Sequence, residues 1–269
     1  MMKKIFITGA SSGLGLAIAT AYAKQYSAQS LIIGLVGRNL NALQHLSEEL
    51  SRQFHTKCSV YKLDVRDGEA LDIAANDFIN RYGSPNVVIA SAGVSRGTLT
   101  EFQEDKAAFQ AILDINVMGM VNTFQPFIEA MRSNSDNQKQ LVGIASVAGI
   151  RGLPGAGAYS ASKSAVITYL ESLRVEMQRY QIQVSTIAPG YIRSPMTDIN
   201  TYHMPFLMDA DNFAEKCIRA IECQSRYTVI PWQMGLLAKI LRIIPPFLWD
   251  WIMRNAPHKE RTHWDWLNK

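Results

Sequence analysis

Short apolar runs alternate with longer stretches of helical spacing along most of this chain. That alternation limits the folds open to it more than any single residue does. The runs are KIFIT, SLIIGLV, CSVYKL, NVVIAS, QLVGIAS, QIQVSTIAP and YTVIP. They are apolar at odd and even positions alike, as strands covered on both faces must be. Between them lie LGLAIATAYAKQY, LNALQHLSEELSRQ, GEALDIAANDFINRY, DKAAFQAILDINVMGMVNTFQPFIEAMRS and AYSASKSAVITYLESLRVEMQRY, with apolar residues at helical spacing. Such alternation implies βαβ units, a parallel sheet and helices on both faces. Right-handed crossovers then give an α/β, doubly wound sheet. The 269 residues, 48% of them hydrophobic, supply one large core, so a single domain over residues 1–269 is expected. The polar stretch 132–140 is expected to be an exposed loop.

Composition removes several function classes. The net charge of +4 is mild and gathers into no basic stripe, which argues against nucleic-acid binding. Cys58, Cys217 and Cys223 form no CxxC pair, so neither a disulfide framework nor a metal site is expected. A reducing, cytoplasmic compartment fits. The apolar IFI after the two N-terminal lysines is too short for a signal-peptide core. No stretch offers the ~20 apolar residues of a spanning helix.

The first strand runs into TGASSGLG, Thr8 to Gly15, and then into an alanine-rich helix. Strand, glycine turn and helix N-terminus form the context of a dinucleotide-binding loop. Gly9 permits the tight turn, Gly13 the approach of a pyrophosphate, and Gly15 close helix–strand packing. Ser11, Ser12 and Leu14 complete the cradle, where unpaired N–H groups and the helix dipole favour an anion. The second strand ends in Gly37-Arg38-Asn39 without the carboxylate that would hold an NAD ribose. Arg38 can instead pair with a 2′-phosphate, and Asn39 can add a hydrogen bond, so NADP(H) is the expected cofactor.

Tyr159 and Lys163 stand four residues apart on a helix and so share one face. A phenol with a pKa near ~10 is a poor acid or base at neutral pH, and bringing it to neutrality needs about 4 kcal/mol. One partly hydrated lysine falls short of that, and an oxidised nicotinamide would add positive charge. Ser146 ends the strand LVGIAS at the carboxyl edge of the sheet, where ligands bind in this architecture. Its hydroxyl can polarise a carbonyl.

The chain resembles the short-chain dehydrogenase/reductases of the single-domain TGxxxGxG and YxxxK type. The resemblance runs from Lys3 to about Pro231 and rests on TGASSGLG, LDV at Leu63–Val65, SAG at Ser91–Gly93, Asn116, Ser146, YSASK at Tyr159–Lys163 and PGYIRS at Pro189–Ser194. It implies a Rossmann-type sheet of about seven strands. By the same resemblance Tyr159 is the proton donor or acceptor, Lys163 holds the nicotinamide ribose and lowers the tyrosine pKa, and Ser146 positions the substrate oxygen. Asn116 helps hold a water that continues a relay through Lys163. Asp64 and Val65 flank the adenine, and Ser91, Ala92 and Gly93 belong to the cofactor site. Ile192, after Pro189 and Gly190, faces the nicotinamide carboxamide, and Ser194 is similar to the family's threonine. Two departures stand out: Ala90 replaces the first asparagine of NNAG, and Ala145 precedes Ser146 where a second serine is common. The implied reaction is NADPH-dependent reduction of a carbonyl to a secondary alcohol, or its reverse. Pairing of the two long helices implies a dimer or tetramer.

HMPFLM, after Ser194, suits an apolar lid over a hydrophobic substrate or packing on its own core. Residues 232–269 form a C-terminal extension in which Gly235–Ile244 is amphipathic, Pro245-Pro246 breaks it, and FLWDWIM resumes. Two readings stand: docking on the same domain or a partner subunit, or peripheral contact with a membrane surface. A non-catalytic NADP(H)-binding redox sensor is the alternative function; the apparently complete set of reacting residues argues against it.

Overall fold

The computed structural model describes residues 2–26, 31–135, 138–198, 200–256 and 258–261. Asp136 and Asn137 of the expected loop, and residues 262–269 of the extension, lie outside them. Strand β1 (Lys3–Thr8) leads to helix α1 (Gly13–Gln25), β2 (Leu31–Gly37) to α2 (Leu40–Phe54), and β3 (Lys57–Lys62) to α3 (Gly68–Tyr82). After β4 (Val87–Ala90) come α4 (Asp105–Leu113) and α5 (Gly119–Ser133). The second half carries β5 (Gln140–Ile144), α6 (Gly157–Met177), β6 (Gln183–Pro189), α7 (Ala210–Glu222), β7 (Tyr227–Ile230), α8 (Trp232–Ile243) and α9 (Pro246–Met253).

The strands form one seven-stranded sheet in the order β3-β2-β1-β4-β5-β6-β7. Every pairing is parallel. The winding reverses between β1 and β4, and the crevice at their carboxyl ends is where such sheets bind ligands. Strand parity sorts the core into two layers. Ile5, Ile7, Ile33 and Leu35 face α1, α2 and α7. Phe6, Val88 and Leu141 face α3, α5 and α6, where Phe6 meets Phe78 and Phe127 with ring centroids 5.5 and 4.7 Å apart.

Two elements differ from expectation. The long helix expected over Asp105–Ser133 is interrupted by a π turn, Asp114–Met118, between α4 and α5. Helix α7 is not among the expected helices, although Phe213, Ala214, Cys217, Ile218 and Ile221 recur at helical spacing and are buried. Its polar opening, Asp209–Asn212, hid the pattern behind the apolar stretch preceding it.

Helix α8 docks on its own sheet. Met234 and Ala238 are buried, and a methyl group built on Gly190 would lie 2.7 Å from Met234. Arg151 ties the extension down: its Nη1 donates to the carbonyls of Leu241 (2.6 Å) and Ile244 (2.7 Å), and its guanidinium lies 4.6 Å from the Trp249 ring centroid. Ile243 and Phe247 stay 80% and 76% exposed, so docking leaves an apolar outer face. Among the described residues no helix is long and apolar enough to cross a membrane.

Candidate active site

The glycine loop is built by contact rather than by flexibility alone. Gly9 has φ +74°, and a methyl group there would lie 2.8 Å from the Ala92 backbone. Gly13 has φ +56°, and a methyl group on Gly15 would collide with the Gly9 carbonyl. Ser12 caps α1 without spending its hydroxyl on the helix. Ser11 packs its hydroxyl against Gly37, coupling the loop to the end of β2. Ser11, Ser12, Gly13 and Leu14 line a cleft at the β1–β4 crevice, with the N-terminus of α1 aimed into it.

Arg38 lines the same cleft, its Nη1 3.8 Å from Asp64 Oδ2. Sequence reading passed over Arg66, which grips the Asp64 carboxylate through Nε (3.1 Å), Nη2 (2.9 Å) and its backbone N–H (2.9 Å). Burial pushes the Asp64 carboxyl up, but those bonds outweigh it and hold the group below the usual carboxylate range. Asn39 stands outside the lining: its Oδ1 accepts from the Ala42 N–H at 3.1 Å and caps α2. Val65 lines the cleft and packs on Gly119.

Ser146, Tyr159 and Lys163 meet across the next part of the cleft. Ser146 follows β5, and its Oγ accepts from the Ala148 N–H at 3.1 Å. Tyr159 stands in the first turn of α6 and Lys163 one turn on. Lys163 Nζ donates to the Ile144 carbonyl at 2.8 Å and sits 5.9 Å from the Tyr159 ring centroid. Burial pulls the Lys163 pKa down to about 8. Burial pushes the Tyr159 hydroxyl up, with a hydrogen bond from Ser146 acting the other way. Here the expectation that Lys163 lowers the tyrosine pKa needs correction. Lys163 is turned onto a carbonyl and is itself poorly solvated, so burial governs the phenol and Ser146 supplies the counteracting bond.

Asn116 lies in the π turn, fully buried behind the lining. Its Oδ1 accepts from Val94 N–H (2.8 Å), and its Nδ2 donates to Val94 O (3.0 Å) and Ser162 Oγ (2.9 Å). The side chain is therefore spent on holding the exit of β4 to α6. Gly93 fits between: a methyl group there would lie 3.2 Å from Asn116 Oδ1 and 3.5 Å from Lys163 Nζ. Ser91 and Ala92 line the cleft beside it.

Pro189, Gly190, Ile192 and Ser194 close the far wall. Thr197, which the sequence did not single out, fixes this turn. Its hydroxyl donates to Ile192 O (2.8 Å) and accepts from Ser194 N–H (3.0 Å). Tyr202 is also unforeseen: it stacks edge-on with Tyr191 and lies near enough to Tyr159 for the two phenols to interact. The apolar lid is half open, with Phe206 and Leu207 exposed and Met208 bridged to Ile192.

Residues 3–203 match the family model of short chain dehydrogenases. The chain is a short-chain dehydrogenase. It is 33% identical over 244 residues to an oxidoreductase of Myxococcus xanthus, covering 91% of this chain and 93% of that protein. A short-chain dehydrogenase/reductase from Burkholderia phymatum, in complex with NAD, superposes with a TM-score of 0.77 at 21% identity, over 97% of this chain and 98% of that one. An archaeal alcohol dehydrogenase from Thermococcus sibiricus, complexed with 5-hydroxy-NADP, gives 0.74 at 21% identity over 86% and 96%.

This dehydrogenase adds a strap to the cleft that no motif announced. His258 packs on Gly155, and Glu260 O accepts from the Gly97 N–H at 3.2 Å. Lys259 Nζ reaches Ser95 Oγ (3.0 Å) and Met196 O (3.3 Å). Arg261 binds Asp105 (2.8 Å) and Glu104 (2.9 Å), with its guanidinium 3.5 Å from the Phe102 ring centroid. Four residues thus join the loops following β4, β5 and β6.

Proposed function

We propose that this oxidoreductase uses NADP(H) to reduce a ketone with a substantial apolar part to a secondary alcohol, and catalyses the reverse oxidation. The observation carrying the reading is the convergence of Ser146, Tyr159 and Lys163 on the cleft that the glycine loop and Arg38 also line. When bound, the nicotinamide supplies the hydride. Tyr159 gives its proton to the carbonyl oxygen as charge builds there, and its raised pKa keeps that proton in place until then. Ser146 accepts from Ala148, which leaves its own O–H to steady the same oxygen. Lys163 holds the ribose, and Asn116 acts as a positioning residue through Val94. Arg38 pairs with the 2′-phosphate, freed for it because Arg66 already neutralises Asp64.

Screening NADPH consumption across steroid, acyl-chain, sugar and quinone carbonyls tests the reading. Tyr159→Phe should bind NADPH with unchanged affinity and lose turnover by about a hundred-fold or more; retained turnover sinks the acid role. Arg38→Ala should raise KM for NADPH about ten-fold or more and leave that for NADH nearly unchanged. Equal effects on both remove the NADP assignment. Homo-oligomerisation through α5 and α6 belongs to the same reading, supported by the 62% exposure of Val175 on α6. So does peripheral membrane contact through the apolar outer face of α8 and α9.

A further inference from the structure

Two cations stand together at the rim of the cleft with nothing negative between them. Lys259 is half buried, and both oxygens it reaches, Ser95 Oγ and Met196 O, are neutral. Burial and the neighbouring charge of Arg96 pull its pKa down to about 8. Arg96 reaches only its neighbour's carbonyl, Ser95 O, at 3.5 Å, and its Nε is buried without a hydrogen-bond partner among the described residues. Neither cation is paired with a carboxylate among those residues. Two residues on, Arg261 takes both available acids, Glu104 and Asp105. Crowding two like charges away from water is costly unless an anion joins them, and a guanidinium with an unused N–H edge is shaped for an oxyanion. The place is also informative. Arg96 lies two residues past Val94, and Lys259 bonds to Met196; Val94 and Met196 both line the cleft that holds Tyr159.

We propose that Arg96 and Lys259 bind an anionic group, a phosphate or a carboxylate, carried on the same molecule as the carbonyl. The substrate is then an amphiphilic ketone, with its carbonyl at Ser146 and Tyr159 and its charged end under the strap. This rests on the carbonyl-reductase reading above and adds the substrate class to it. Lys259 is delivered by the C-terminal extension, so that extension contributes a specificity residue to the cleft.

The test uses the full chain and a matched series of alkyl ketones ending in a phosphate monoester, a carboxylate or a methyl ether. The wild type should prefer at least one charged ketone over the ether by about ten-fold or more in kcat/KM. The phosphate and carboxylate arms identify the group. Arg96→Gln and Lys259→Gln should each erase most of that preference, mainly through KM, and Lys259→Arg should restore it. Equal use of charged and neutral ketones by the wild type overturns the proposal. So does an equal loss on both in each variant, which marks a strap that only holds the loops. Should no ketone be turned over, the reductase reading fails, and the anion site is judged by binding. Inorganic phosphate should raise the melting temperature of the NADP+-saturated wild type and not that of the Arg96→Gln/Lys259→Gln double variant. No difference between the two overturns the site.

Discussion

Lys163 is a lysine held where an ammonium is poorly solvated. Its pKa of about 8 in the folded chain compares with about 10.4 for an unfolded lysine. Between those values the unfolded chain binds more protons than the folded one, so this group's contribution to stability rises with pH from about 8 to about 10.4. Below that window the buried charge is a constant cost. Lys163→Met should therefore stabilise the ligand-free protein at pH 7 by ~1–3 kcal/mol while removing turnover. The gain should shrink as pH approaches 10.4. Urea midpoints at several pH values measure it, and a variant less stable at every pH would refute the argument. The identities of Ser146, Tyr159 and Lys163 were legible in the sequence because spacing and strand ends mark them. Their electrostatics were not. The Ile144 carbonyl under Lys163, and the burial of both groups, arise only when β5 and α6 meet. Arg66, Thr197 and Tyr202 escaped for a like reason: each acts through a contact that no local pattern encodes.

Among the elements, the strands were the easiest to read, because a run apolar on both parities has one destination in a two-sided sheet. Helices were read less completely. The spacing across Asp105–Ser133 gave no sign of the π turn, which follows from the grip of Asn116 on both backbone groups of Val94 and from Gly119 pressed on Val65. The glycine loop was read correctly as a loop, but its tolerance is set by tertiary contact. Gly15→Ala would drive a methyl group into the Gly9 carbonyl, and that carbonyl cannot yield without moving β1. The variant should lose ~2 kcal/mol or more of stability, together with measurable NADPH affinity. Gly157, whose added methyl group would meet nothing within 4 Å, is the control and should tolerate alanine. Matching urea midpoints for the two variants would contradict this account.

At the scale of the whole molecule, the C-terminal extension does two things at once. Its inner side docks through Met234 and Ala238 and sends the strap back over the cleft, while its outer side stays apolar. Sequence periodicity held docking and membrane contact as alternatives, because an amphipathic pattern says which face is apolar and not what meets it. If the outer face meets lipid, Phe247→Ser combined with Trp251→Ser should abolish flotation with liposomes and leave ketone reduction by the soluble protein within about two-fold. A wild-type protein that never floats would remove membrane contact.

The π turn carries one last consequence, for which length changes this chain can accept. Losing one residue between Asp114 and Met118 would rotate everything after it by about 100°. Phe124 and Phe127, both fully buried, would then leave the layer beneath Phe6. A gain or loss of one residue is harmless in most surface loops. In this turn it would misplace Asn116 and break the core together, so related chains that align across it should do so without a gap.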